Sequence, residues 1–109
     1  MNTEYTFEQT REYVKKSLDI DFFNVVCDPV RSQLLVFLAF RGEMTIGKIA
    51  ENFPQNRSVI SRHLDLMNRL GAITRRKLGR EVYYKINQEK IVDKFDTAST
   101  NIKKLFEQA

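Results

Sequence analysis

A mainly helical domain with one small β-hairpin is the fold class that the sequence predicts, and three observations carry it. Apolar residues recur at helical spacing over most of the chain. After Gly71 the pattern changes to alternation in two short runs that flank Gly79-Arg80. Prolines at 29 and 54 and glycines at 42, 47, 71 and 79 punctuate the chain into short elements.

Residues 6–18 read as a helix with a sparse apolar stripe of Phe7, Val14 and Leu18. Residues 20–27, IDFFNVVC, form a second and more apolar piece. Asp28-Pro29 is a strong helix start, because Asp caps free amides and Pro fits the first helical position. The helix that follows is apolar at Val30, Leu34, Leu35, Phe37, Leu38 and Phe40, which predicts burial on most sides, and Gly42 ends it. Thr45 then caps a helix over 46–53, with Ile46, Ile49, Ala50 and Phe53 in step, and Pro54 stops it. After a three-residue turn at 54–56, Asn56 caps a helix over 57–70 whose inward face is Ile60, Leu64, Met67 and Leu70. Ile73–Leu78 and Glu81–Ile86 make the hairpin, with Val82, Tyr84 and Ile86 alternating with Glu81, Tyr83 and Lys85. A last helix over 88–107 carries Ile91, Phe95, Ala98, Ile102 and Leu105 on one side.

Size and composition narrow the function. The chain has 109 residues, 42% hydrophobic and 29% charged, as expected of one globular domain with little room for a deep catalytic cleft. Its net charge of +4 is unevenly spread. Residues 56–87 hold eight cations against Asp65 and Glu81, a net +6, so the remainder of the chain carries −2. One basic segment is the footprint of a polyanion partner, against the simpler reading of a solvated face.

The single Cys27 excludes an internal disulfide and any multi-cysteine zinc site, and it fits a reducing, cytoplasmic compartment. Flanked by Val25 and Val26, it reads as a small buried apolar residue. The polar N-terminal stretch has no apolar core of a signal peptide, and Leu34–Phe40 is too short to span a bilayer, so no membrane partner is expected. Nucleophile–base pairs, glycine-rich phosphate loops and metal clusters are all missing from the pattern, and an enzyme is not expected.

Helix, tight turn, helix and basic hairpin together spell a winged helix-turn-helix. The second helix of such a unit enters the major groove with its N-terminal residues on base edges. With Ile60, Leu64 and Met67 holding it from behind, Arg57, Ser58, Ser61, Arg62 and Asp65 are left pointing outward. Arginine bridges guanine O6 and N7 or clamps a phosphate, and serine donates to a base or a phosphate oxygen. On the hairpin, Arg75, Arg76, Lys77 and Arg80 suit phosphate or minor-groove contacts. Tyr83 and Tyr84 suit packing, and His63 suits packing or hydrogen bonding. The expected partner is double-stranded DNA. The alternative is a winged helix used for protein–protein interaction, which need not keep a basic helix and wing.

The segments DPVRSQLLVFLA, TIGKIAENF, NRSVISRHLDLMNRLGAI and GREVYYKIN resemble the ArsR family of winged-helix repressors from about Phe22 to Asn87. DP-x-R, SRHL and GR-x-VYY are specific in combination. The resemblance implies a single domain over 1–109 that dimerises through terminal segments 1–21 and 88–109. The helix-turn-helix would span 45–70 and the wing 72–87. It implies a homodimeric repressor on a palindromic operator, with the SRHL helix as recognition helix and GREVYY as the wing's returning strand. Some relatives hold metals through paired cysteines on the first helix of the helix-turn-helix, or through Asp and His pairs on the last helix. Here the first reads TIGKIAENF, and the last has Asp93 and Asp96 without a histidine, so neither a metal site nor a cofactor is expected.

Overall fold

The computed structural model describes residues 6–107. Six helices and three strands follow one another as α1 (Phe7–Ser17), α2 (Ile20–Val26), α3 (Pro29–Arg41), β1 (Met44–Thr45), α4 (Ile46–Ala50), α5 (Arg57–Arg69), β2 (Ile73–Leu78), β3 (Glu81–Ile86) and α6 (Gln88–Glu107). Residues 1–5 and 108–109 of the expected terminal segments lie outside the described residues. Among the described residues no single helix is long and apolar enough to cross a membrane.

Local chemistry sets most of these boundaries. Thr6 and Gln9 close a capping box on α1, each side chain bonded to the other's backbone N–H. Asp28 accepts from the amides of Val30 and Arg31 at 3.0 and 3.1 Å, and Pro29 takes the first turn of α3. Gly42 ends that helix at φ 82, a left-handed conformation that favours glycine. Thr45 Oγ1 accepts from Lys48 N, as the sequence predicts.

Residues from every layer build the core. Phe22, Leu34, Leu38, Ile49, Ile60, Leu64, Met67 and Ile73 are fully buried, each worth about 1.5–3 kcal/mol of apolar transfer. The hairpin strands match the predicted bounds, with Ile73 opposite Ile86 and Leu78 opposite Glu81. β1 is an addition: it pairs antiparallel with β3, Met44 opposite Tyr84, so the sheet runs β1-β3-β2.

Four expectations need correction. The helix predicted over 46–53 ends at Ala50, because Pro54 disfavours helical geometry at Phe53 and the chain closes instead with Asn52 N→Ile49 O and Phe53 N→Ala50 O bonds. The linker between the two helices is therefore six residues, 51–56, rather than three. Phe53 still packs on the core from outside the helix. Asn56 stands at the start of α5, but its side chain makes no capping bond.

The other two concern burial. α3 is buried on one side only: Leu34, Leu35 and Leu38 face the core, while Val36 and Phe40 are 56% and 87% exposed. Nothing among the described residues covers that outer face. Cys27 is exposed, since it caps the end of α2 and sits at the corner where the chain turns into α3.

The terminal helices leave the core and run together. Asn101 Nδ2 donates to Ser17 O at 2.8 Å and Lys94 Nζ to Asp19 Oδ2 at 2.7 Å, so α1 runs antiparallel along the later part of α6. This two-helix arm helps stretch the molecule to 57 Å in its long dimension.

Candidate nucleic-acid interface

α5 is divided cleanly between core and solvent. Ile60, Leu64 and Met67 are buried completely, and four residues of the predicted reading set, Arg57, Ser58, Arg62 and Asp65, are exposed. Ser61 is half-buried beside them. Arg57 bends back over α4: a β-carbon on Gly47 would lie 3.8 Å from its Nη1. The first turns of α5 thus present hydroxyls and guanidinium groups above a rigid apolar base.

Two polar contacts flank that base. On the α3 side, Arg31 Nη1 lies 3.1 Å from His63 Nδ1, and Arg31 Nε donates to Val25 O at 2.6 Å. On the wing side, the Tyr84 hydroxyl donates to Asp65 Oδ1 at 3.3 Å. Burial, with Asp65 nearby, pushes the Tyr84 phenol above its ordinary range, so it stays a neutral donor. His63 is a hydrogen-bonding residue, as expected. Asp65 has a contact that the sequence does not reveal, since it joins α5 to β3.

Strand register divides the basic residues of the wing. Arg75 pairs with Tyr84 and Lys77 with Val82, so both project from the face that β3 turns toward α5. Arg76 pairs with Tyr83 on the opposite face. There its Nε and Nη2 donate to the two Glu43 carboxylate oxygens at 2.7 Å each, and its guanidinium sits 5.0 Å from the Tyr83 ring centre. The Arg76 hydrogen bonds hold Glu43 below the usual carboxylate range and raise the arginine in turn. Arg80 follows Gly79, which takes φ 62 at the hairpin tip, and is exposed. Among the described residues Lys77, Arg80 and Lys85 have no ion-pair partner on the wing, Arg75 bears on the Tyr84 hydroxyl, and Glu43 is a site neighbour that sequence reasoning missed.

The metal arrangements implied by the family resemblance do not fit this chain. α4 presents Ile46, Gly47, Lys48, Ile49 and Ala50, none of them a metal ligand, and Cys27 lies on a different element. On α6, Asp93 and Asp96 are exposed without an imidazole. Among the described residues no three His, Cys, Asp or Glu side chains gather to hold an ion.

The chain shares its sequence pattern and its fold with known proteins. Residues 28–75 match the model of the bacterial regulatory protein, arsR family. The chain is 34% identical over 71 residues to the transcriptional repressor SdpR of Bacillus subtilis, covering 65% of this chain and 78% of SdpR. A crystal structure of a possible transcriptional regulator for arsenical resistance superposes with TM-score 0.67 at 30% identity, over 82% of this chain and 96% of that one. The fold is also shared, with TM-score 0.62 at 21% identity, by a homodimeric winged helix-turn-helix DNA-binding domain from Mycobacterium bovis. That likeness covers 92% of this chain and 87% of the other. Related to a repressor over most of that protein's length, and matched across its helix-turn-helix, the chain belongs to the arsR family of bacterial regulatory proteins, transcriptional regulators that bind DNA.

Proposed function

We propose that this regulator works as a homodimer that occupies a palindromic operator and represses by excluding other proteins from promoter DNA. α5 enters the major groove, where Arg57, Ser58, Ser61 and Arg62 meet base edges and flanking phosphates. Asp65 belongs to the same surface through its bond to Tyr84. Arg75, Lys77 and Arg80 reach backbone or minor groove beside it, and Arg76 contributes through Glu43 rather than through a phosphate. The arm of α1 and α6 joins the two subunits, so that two recognition helices face two half-sites.

The observation that carries this reading is the division of α5. Its apolar side is fully buried while four of its five predicted DNA-facing residues remain exposed, next to a hairpin that turns Arg75 and Lys77 toward the same helix. A solvated helix has no need of a basic hairpin on its flank.

Binding is tested on the duplex that the wild-type protein enriches from a randomised library. Arg62→Ala should weaken binding to that duplex by about 1–3 kcal/mol and leave the fold intact, because the side chain faces outward. If Arg62→Ala, Ser58→Ala and Arg80→Ala all bound as tightly as the wild type, helix and wing would not be the DNA surface. The chain would then be an interaction module.

A further inference from the structure

Apolar packing fixes the depth of α5 and which side faces the core, but not the last degrees of its rotation. Ile60, Leu64 and Met67 form one stripe, and apolar burial by itself has no sharp angular preference. Direction comes from hydrogen bonds. Residues 63 and 65 stand on either side of Leu64 around the helix, and each is bonded to a different neighbouring element.

The Arg31 contact has only one chemical solution. A guanidinium carries donors and no acceptor. At 3.1 Å, His63 Nδ1 must therefore accept from Arg31 Nη1, with the imidazole proton on Nε2. Arg31 is itself well held: its side chain is 17% exposed, its Nε is committed to Val25 O, and Asp28 Oδ1 lies 3.7 Å from its Nη2. The bond thus runs from the α2–α3 corner, a fixed point of the core, to the second turn of the recognition helix.

We infer that the Arg31–His63 hydrogen bond is a positioning device for DNA reading: it sets the rotation of α5 about its own axis and so the register of Ser58 and Arg62 on base edges. His63 touches no base in this arrangement. Tyr84→Asp65 is the opposing strut on the wing side. The inference rests on α5 being the recognition helix. Base-edge contacts need side chains held within about 0.5 Å and 10–20°. Phosphate attraction tolerates far more, so loss of the strut should lower sequence discrimination and spare nonspecific binding.

The test measures affinity for the library-selected duplex and for a scrambled duplex of equal length. His63→Ala should lose on the order of tenfold on the selected duplex and less than about twofold on the scrambled one. His63→Asn should restore most of the loss, since its Oδ1 can stand where Nδ1 accepts from Arg31. Should His63→Ala fail to fold, Arg31→Lys carries the same expectation, because one ammonium cannot reproduce the two N–H directions toward Val25 O and His63. The inference is overturned if His63→Ala keeps wild-type affinity for the selected duplex, if it weakens both duplexes equally, or if His63→Asn is no better than His63→Ala. Arg62→Ala separates the two levels. If Arg62→Ala is weakened and His63→Ala is not, only the strut fails; if Arg62→Ala also binds like the wild type, the recognition-helix reading fails with it.

Discussion

The winged core and the terminal arm use apolar residues in opposite ways. In the core, Leu34, Leu38, Ile49, Ile60, Leu64 and Met67 have no exposed surface at all. In the arm, α1 contains no buried residue, and Phe7, Ile102 and Phe106 are 78%, 43% and 72% exposed. These residues are closed off within one chain, although the outer side of α3 still leaves Val36 and Phe40 exposed. The arm has an apolar face that one chain does not cover, beside an open groove of about 850 Å³ lined by Phe7, Val14, Leu18 and Ala98 among others. A face of that kind is normally buried against a partner, which in the proposed homodimer is a second copy of the same arm. The same chemistry thus stabilises the fold in one region and, on the proposed reading, would specify assembly in the other.

Substitutions in the two regions should separate these roles. Leu64→Ala removes a fully buried side chain and should cost about 2–5 kcal/mol of stability, read by chemical unfolding. Ile102→Glu puts a charge on the arm's exposed face instead. It should raise the dimer dissociation constant at least about tenfold in sedimentation and keep the helical circular dichroism near that of wild type. A wild-type protein that sediments as a monomer at micromolar concentration would remove the contrast altogether.

A smaller effect is expected at the joint between α2 and α3. The Asp28 carboxylate caps α3, and the Arg31 amide, with burial opposing, holds it below its ordinary range near 3.8. Asp28→Ala should cost about 1 kcal/mol near neutral pH. Because the folded state depresses this carboxylate, its contribution is whole above the unfolded value and is lost as the pH falls through the folded one. Wild type and Asp28→Asn should therefore differ in stability at pH 6 and converge below about pH 4. A difference that persisted undiminished at low pH would mean that the cap acts through something other than its charge. In the arm, Asp19 is lowered likewise, first by its bond from Lys94, and stands at the hinge between arm and core.

The sequence makes the core easier to read than its cross-links. Caps, period changes and turn glycines are local signals, so α3 starts at Asp28-Pro29, the hairpin strands keep their predicted bounds, and α5 buries Ile60, Leu64 and Met67. β1 is two residues long, too short to show any period. Helical spacing identifies Phe53 as a core contact but not that Pro54 has already ended the helix before it. For α3, composition gives apolar residues around most of the helix without saying which side lacks a neighbour. The candidate surface is legible as a list of α5 residues, four of them exposed. Its geometry rests on pairs far apart in the chain, Arg31 with His63, Glu43 with Arg76 and Asp65 with Tyr84, and no local pattern encodes a partner 19 to 33 residues away.

The smallest and most discriminating effect is expected within the wing. Arg76 and Arg80 look equivalent in sequence, both arginines in one basic hairpin. In the structure Arg80 is free at the tip, whereas Arg76 is held by both oxygens of Glu43 and by the Tyr83 ring. Removing one cation from a DNA phosphate lowers the slope of log K against log salt by about one unit on duplex DNA. Arg80→Ala should show that change, with the same weakening on selected and scrambled duplexes. Arg76→Ala should change the slope by less than about half as much, since a cation already paired with a carboxylate releases few counterions when DNA binds. Its exposed ion pair should add little to stability either. Equal slopes for the two variants, measured by fluorescence anisotropy over a salt series, would mean that DNA displaces Glu43 and takes Arg76 for a phosphate.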